Sequence, residues 1–298
     1  MIGALRSHLP DLPAVCAAAT LVLVWVTPGV AQELQGRVAL ADSLPVGGVR
    51  VELHSFSETA GVLVDSTITD PSGRFEFALG AAEEPGAVFL AGARYGGVLY
   101  WGPPIHATNL GDLSDYVVAV FDTALVSGAV ESLRTSIRHI VITPGVAGLQ
   151  VDEIIDVQGM PDRTLLPSSD SVFVWTAALA GSAHGVVPAQ GGVAQEDLAV
   201  REGIIGFAGA LPPSGIRVAL QYVVPSTEFA LRLDHPTQRL ELLVMPRAGM
   251  DLQVDGLTEA SVGSDMAVPV RRFTAADLPN GATVSIRVEI EEREGGRV

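Results

Sequence analysis

The chain has 298 residues, a net charge of −16 and a hydrophobic content of 48%. This length is enough for a leader and two ordinary domains, and the 32 glycines and 19 prolines favour many turns over long helices. The acidic balance argues against nucleic acid and anionic membrane surfaces as partners. All 18 basic residues are Arg, which we interpret as the codon bias of a GC-rich bacterial genome.

The first 31 residues have the pattern of a secretory signal peptide. An uncharged apolar run from Ala14 to Val26 is followed by small residues, Gly29 to Ala31, that suit cleavage. The run is too short for an ordinary membrane span, and no later run approaches membrane length. We therefore predict cleavage after Ala31 and export to the periplasm, the cell envelope or the medium, with no membrane span in the mature chain. The alternative is an uncleaved N-terminal anchor. Cys16, the single cysteine, would be removed with the leader, so the mature chain would lack disulfides.

Residues 32–126 contain a series of short strand patterns. The segment from Val49 to His54 alternates strictly, with Val49, Val51 and Leu53 on one face. Similar patterns precede and follow it, at 34–40, 62–68, 87–101 with a turn at Gly96-Gly97, and 116–122. Short strands separated by turn residues predict an antiparallel sandwich.

The stretch from Thr67 to Phe77 predicts a strand end, a tight turn and a new strand. Asp70 can bond the turn backbone, and Gly73 suits its last position. Beyond the turn, Phe75, Phe77 and Leu79 point to one side. The stretch therefore predicts a β-hairpin whose Asp and Gly are architectural.

Three features in order suggest a known module: Gly36-Arg37-Val38, then residues 45–53 (PVGGVRVEL), then residues 69–75 (TDPSGRF). Together they resemble the carboxypeptidase regulatory-like domain, a transthyretin-like β-sandwich, over about a third of the chain. The resemblance implies a fold, with its glycines and Asp as fold determinants, and leaves the activity open.

Residues 132–298 are predicted to form a second, larger β-sandwich, after a linker at 125–133. Period-two patterns lie at 216–222, 229–233 and 284–290, and the nearly continuous apolar run from Leu240 to Val244 indicates a more buried strand. The fold class expected for the whole chain is therefore all-β, with two antiparallel β-sandwich domains after a signal peptide: 1–31, 32–126 and 132–298.

The sequence offers little that predicts catalysis. No His is followed three residues later by Glu, so a zinc peptidase site is not indicated, and no G-x-S-x-G motif is present. Histidines 54, 106, 139, 184 and 235 are interpreted as exposed strand or loop residues. Asp152 and Glu153 are adjacent on a strand and should face opposite ways. We predict no catalytic residues, no metal and no cofactor.

One group of aromatic residues could bind a ligand. Tyr95, Tyr100 and Trp101 lie near one another beside a Gly-Pro-Pro segment, and exposed rings on a rigid surface stack on sugars. The alternative is that Tyr100 or Trp101 caps the sandwich core. We predict a non-enzymatic, exported binding or scaffolding protein whose partner is a protein or glycan of the cell envelope. The alternatives are a carbohydrate-binding protein, which requires exposed coplanar rings, and a hydrolase or hydrolase accessory protein, which requires a pocket of convergent polar groups.

Overall fold

The computed structural model describes residues 32–41, 44–57, 61–79, 86–106, 116–261 and 269–290, and there the protein is all-β. The helical content of these ranges is one short 3-10 helix, Gln195–Asp197. The predicted signal peptide and the residues after 290 lie outside the described ranges. Nowhere within them does a helix have the length and hydropathy needed to cross a membrane.

Between residues 32 and 120, nine strands of the described ranges form the first two sheets. Sheet I places β1 beside β2, β5 and β9, and sheet II has the order β4-β3-β6-β7 with β8 beside β6. Their bounds are β1 Gln32–Leu40, β2 Leu44–Pro45, β3 Arg50–Phe56, β4 Gly61–Ile68, β5 Arg74–Leu79, β6 Val88–Tyr95, β7 Val98–Trp101, β8 Ile105–His106 and β9 Tyr116–Val120.

Sheets I and II contribute to one hydrophobic cluster. The inward faces follow the predicted alternation: Val51 and Leu53 of β3 are fully buried, and Phe75, Phe77 and Leu79 of β5 are buried opposite exposed neighbours. Each fully buried side chain of this size contributes about 1.5–3 kcal/mol relative to exposure. β4 departs from the pattern, because its apolar side chains remain exposed.

The stretch from Thr67 to Phe77 connects two sheets. β4 pairs with β3 in sheet II, whereas β5 pairs with β1 in sheet I, so the predicted hairpin is wrong. The turn itself is as predicted: Asp70 Oδ1 accepts hydrogen bonds from the backbone N–H groups of Ser72 and Arg74, each at 2.8 Å. Period-two alternation defines the face of a residue but leaves its partner strand open.

The Asp70 turn should depend on pH. The hydrogen bond from the Arg74 backbone, followed by that from the Ser72 hydroxyl, holds the pKa of Asp70 below its ordinary value of 3.8. The folded pKa is lowered, so the stabilising contribution is present above pH 3.8 and is lost as the pH falls through the folded pKa. An NMR titration should give an Asp70 carboxyl pKa below 3.8 and loss of amide protection at Ser72 and Arg74 on acidification. A value at or above 3.8 would contradict these contacts.

In the described residues from 122 onward, fifteen further strands follow. They form a parallel pair β10-β13 (sheet III), a seven-stranded sheet β15-β18-β12-β11-β20-β23-β22 (sheet IV), and two three-stranded sheets, β14-β17-β16 (sheet V) and β19-β24-β21 (sheet VI). Their bounds are β10 Asp122–Val126, β11 Arg134–Pro144, β12 Leu149–Gln158, β13 Arg163–Pro167, β14 Trp175–Ala178, β15 His184–Pro188, β16 Leu198–Arg201, β17 Ile204–Phe207, β18 Ile216–Val224, β19 Glu228–Arg232, β20 Thr237–Val244, β21 Met250–Asp255, β22 Thr258–Ala260, β23 Arg271–Leu278 and β24 Thr283–Ile290.

The pairing within these sheets is mixed. Most pairs are antiparallel as predicted, but β1-β9, β10-β13 and β11-β20 are parallel. A purely antiparallel arrangement is therefore wrong for the described residues. Parallel neighbours need long connections, and the pattern within one strand does not reveal them.

A second hydrophobic cluster draws on sheets III to VI. Leu240, Leu242 and Val244 of β20 are fully buried in it, and β20 lies between β11 and β23, which confirms the buried strand predicted at 240–244. Part of the predicted linker is ordered, because Leu125 and Val126 belong to β10 and pair with β13.

A charged network is buried under sheet IV. Arg138 Nε donates to Glu153 Oε1 at 2.5 Å, and the Tyr222 hydroxyl donates to Glu153 Oε2 at 2.8 Å. Burial, followed by the neighbouring charge of Glu153, raises the pKa of Tyr222 well above its ordinary value, so the hydroxyl stays protonated and donates. Asp152, next along β12, faces away from this network and bonds Gln221. Adjacent carboxylates on this strand thus face opposite ways, as predicted.

Candidate functional site

The candidate site lies on the outer face of sheet II, the side opposite the buried Val51 and Leu53. Strand alternation in β3 turns Glu52 and His54 to this side, and the β6-β7 pairing sets Trp101 opposite Gly92. A glycine is needed there, because a Cβ at position 92 would lie 2.9 Å from the Trp101 ring. The indole therefore lies across β6 and reaches towards β3.

Three rings meet on the outer face. His54 stacks on Phe56 with a centroid distance of 6.1 Å, and Trp101 meets His54 edge-on at 5.1 Å and Phe56 at 6.2 Å. We call His54, Phe56 and Trp101 the aromatic cluster. Trp101 is 43% exposed, so a large apolar ring is open to a ligand.

A charged group borders the aromatic cluster on β3 and β6. Glu52 accepts two hydrogen bonds from Arg94, at 3.1 and 3.2 Å, and lies 3.2 Å from Arg50 Nε. The hydrogen bond from Arg94 holds the pKa of Glu52 below its ordinary value, against the opposing effect of burial. Both Arg side chains are more than half exposed, so they remain open to an incoming polar group.

The three aromatic residues singled out by the sequence do not share a face. Trp101 lies on the outer face, whereas Tyr100 is 6% exposed, and its hydroxyl donates to the Phe121 carbonyl at 3.1 Å and shares a 2.7 Å hydrogen bond with the Thr164 hydroxyl. The Tyr95 hydroxyl lies 3.4 Å from Asp122 Oδ1. Tyr100 thus ties sheet II to β13, as the core-capping alternative expects, and Trp101 alone is placed for stacking.

His54 and Phe56 were missed as site residues. The alternation that placed His54 outward also places Phe56 outward, and the Gly96-Gly97 turn, whose glycines both have positive φ, fixes the register of β6 and β7. Extending the β3 alternation from His54 to Phe56, and then pairing β3 with β6 and β6 with β7, places both rings next to Trp101.

The outer face continues to an open strand edge. β4 is the terminal strand of sheet II in the described residues, and its Val62, Leu63 and Ile68 side chains are 59, 49 and 68% exposed. Leu63 pairs with His54 and Ile68 pairs with Arg50, so both lie on the same side as the aromatic cluster. Apolar surface therefore extends from Trp101 to the edge of the sheet.

Other candidate sites are less developed. His235 was interpreted as exposed and is buried instead, with Nε2 2.9 Å from the Thr176 carbonyl and its ring stacked on Trp175. Within the described ranges, no group of three or more His, Cys, Asp or Glu side chains is placed to bind a metal ion.

Two cavities lie at one end of sheet IV and share Gln158. The smaller, of about 390 Å³, is lined by Arg134, Asp277 and Pro279, among others. The larger, of about 800 Å³, is a wide cleft that includes Asp156 and Arg217. There Arg217 donates hydrogen bonds to both carboxylate oxygens of Asp156, at 2.6 and 2.8 Å.

Comparison with known proteins gives only weak structural likenesses. No family model matches the chain, and no curated protein does. Among solved structures, a candidate protease from Parabacteroides distasonis is 10% identical, with a TM-score of 0.30 over 54% of this chain and 40% of that one. The M1 zinc metallopeptidase of Deinococcus radiodurans is 12% identical, with a TM-score of 0.29 over 54% and 43%.

A third solved structure, invasin, a bacterial integrin-binding protein, is 11% identical, with a TM-score of 0.16 over 85% of this chain and 52% of that one. The chain thus spans about half the length, or less, of these proteins. Likeness at TM-scores this low carries no argument about fold or activity.

Proposed function

We propose that the chain is an exported binding or scaffolding protein of the bacterial cell envelope, without catalytic activity of its own, and that its partner is a protein. In this proposal residues 32–126 form a carboxypeptidase regulatory-like β-sandwich and residues 132–298 a second β-sandwich. Export rests on the signal-peptide pattern of residues 1–31.

The division into two domains is supported by the two separate hydrophobic clusters, although β10 (Asp122–Val126), at the end of the proposed first domain, pairs with β13 and packs against the second cluster. Sheets I and II supply one, and sheets III to VI supply the other. Within the first unit, Asp70 and Gly73 of the family-like TDPSGRF segment act in the turn between the two sheets. The role of Asp70 and Gly73 is therefore structural, and a binding function has to be sought on the surface of the protein.

The observation that carries the binding role is the outer face of sheet II. Its aromatic cluster, open apolar edge strand and bordering charges Arg50, Glu52 and Arg94 combine the features that mark protein interaction surfaces. Tryptophan and arginine are the residue types that most often dominate binding energy at such surfaces.

The test is removal of the exposed indole. Trp101→Ala should weaken binding of a specific envelope partner by about 2 kcal/mol or more, roughly 30-fold in Kd, because a central aromatic anchor is lost. The partner is first isolated by affinity recovery from envelope extract, and its Kd is then measured by calorimetry. Val200→Ala is the matched control, since Val200 is 45% exposed on β16 in sheet V. Equal binding by the two variants would contradict the proposal.

A glycan is the second candidate partner, favoured by the exposed Trp101 ring beside Arg94 and Glu52. One exposed indole flanked by hydrogen-bonding groups can stack on a sugar face. A glycan array probed with the wild-type chain and with Trp101→Ala separates the candidates. Glycan binding that disappears with the indole, alongside no recovered protein, would favour the sugar.

A further inference from the structure

β4 has apolar residues on both of its faces, as an inner strand of a sheet would, but it lies at the edge of sheet II in the described residues. Leu63 and Ile68 lie on the outer face, whereas Val62 pairs with Ser55, the residue between the outward His54 and Phe56 of β3. All three are exposed, so both sides of the strand present apolar surface. Strands with apolar residues on both faces are normally flanked by other strands, and an open edge of this kind is a template for pairing with another chain.

Some backbone groups of β4 point away from β3, towards the edge that no other described strand covers, and they do so in a definite register. The Thr69 N–H donates to the Val49 carbonyl at 2.9 Å, so Thr69 faces β3. Because the direction alternates along a strand, Thr67 also faces β3, while Ser66 and Ile68 turn their N–H and C=O groups to the open edge. An independent contact agrees: the Ser66 N–H is bound by the Asp65 carboxylate, at 2.7 Å, and is therefore outside the β3 ladder.

We propose that β4 accepts an extended segment of another protein as an added strand, and that this segment carries apolar side chains at alternate positions and a Lys or Arg beside Asp65. This inference rests on the proposed function, because it describes how the protein partner would bind to β4 and which side chains the partner would carry. A carbonyl of the segment takes the Ser66 N–H, which releases the Asp65 carboxylate. A released carboxylate on a chain of net charge −16 selects a cation.

The local charges disfavour a second copy of this chain as the occupant. Antiparallel pairing of β4 with its own copy over the full length of Gly61–Ile68 would set the two Asp65 carboxylates close together, and each chain carries a net charge of −16. Like charges across a strand pair are destabilising, and the long-range repulsion adds to this effect. An added strand from a basic or neutral segment avoids both the local and the long-range repulsion. Its outward side chains would extend the apolar surface beside Leu63 and Ile68.

The test uses two labelled peptides and the full chain. Each peptide alternates Val and Thr and differs in one central residue, Lys or Glu, and binding is followed by fluorescence anisotropy. The Lys peptide should bind about tenfold more tightly than the Glu peptide. Asp65→Asn should abolish that preference, because the selecting carboxylate is gone. Equal binding of the two peptides by the wild-type chain would overturn the charge assignment.

Two substitutions at Ser66 test the register. Ser66→Pro removes the open-edge N–H without breaking the β3 ladder and should weaken the Lys peptide about tenfold or more. Ser66→Ala keeps the N–H and should bind as the wild type. Hydrogen exchange of the wild-type chain is a second readout, independent of whether the proline variant folds. Peptide should protect the Ser66 and Ile68 amides and leave Thr67 unchanged.

The outcomes separate this inference from the proposed function. Undiminished peptide binding by a folded Ser66→Pro variant, or no new protection at Ser66 and Ile68, overturns the added-strand proposal. A wild-type dimer in sedimentation that Ser66→Pro disrupts overturns it as well, because the occupant is then a second copy. If Trp101→Ala abolishes partner binding while Ser66→Pro does not, the outer face binds the partner and β4 does not.

Discussion

Replacing Glu153 by alanine is expected to lower the free energy of unfolding by about 3–5 kcal/mol, the largest single effect foreseen for this chain. Glu153 is 1% exposed and is the acceptor for both Arg138 Nε and the Tyr222 hydroxyl. Its removal leaves the Arg138 guanidinium buried without a counter-charge. The remaining Arg138 contact, to the Ala178 carbonyl at 3.0 Å, cannot neutralise that charge.

The neighbouring carboxylate provides the control. Asp152→Ala, one residue away on the same strand but facing outward, should change stability by no more than about 0.5 kcal/mol. The double replacement of Arg138 by Met and Glu153 by Leu should recover most of the loss, because an apolar pair has no unpaired charge. Denaturant titration followed by circular dichroism measures all three. A Glu153→Ala variant as stable as Asp152→Ala would show that the network is not coupled to folding.

Much of the strand content follows from period-two alternation. The inward faces of β3 and β5 and the buried β20 segment were predicted because apolar residues at alternate positions must face a core. Alternation contains no information about partners. The turn after β4 therefore suggested a hairpin, although β5 pairs with β1, and β9 joins β1 in parallel from about eighty positions further along the chain.

Burial of polar residues and exposure of apolar ones escaped prediction for the same reason. Arg138 and His235 look solvent-facing by residue type, and the groups that satisfy them, Glu153, Ala178 and Thr176, come from other strands. The apolar residues of β4 look like core, yet no further strand of the described residues covers them. Both outcomes depend on which strands arrive as neighbours.

The aromatic cluster shows how far a candidate site can be predicted. Trp101 was identified from its type and its place beside the Gly-Pro-Pro segment, but its partners His54 and Phe56 lie about fifty positions away on β3. The Tyr100 hydroxyl could not be assigned from local sequence either, since its partner Thr164 belongs to β13. Local patterns give the direction of each ring, and long-range register decides which rings meet.

Gly73→Val is the second substitution with a large expected effect. Gly73 has φ +76°, a conformation that costs a residue with a Cβ about 1–2 kcal/mol. A Cβ there would also lie 2.7 Å from the Val38 carbonyl oxygen and 2.9 Å from the Val46 backbone nitrogen. Neither backbone atom can move without disturbing β1, whose Val38 N–H donates to the Gly73 carbonyl at 2.8 Å.

Gly48→Val is a matched control for Gly73→Val, because Gly48 has nearly the same φ, +75°, and a Cβ there would have no atom within 4 Å. The control should therefore cost only the conformational part, about 1–2 kcal/mol, and Gly73→Val should cost at least about 2 kcal/mol more. Native-state hydrogen exchange at Phe75 and Phe77 reports the local stability of β5 in both variants. Equal losses in the two variants would show that the close contact under Gly73 is not what requires glycine. Unchanged exchange at Phe75 and Phe77 together with lost partner binding would instead assign the turn a direct role in recognition.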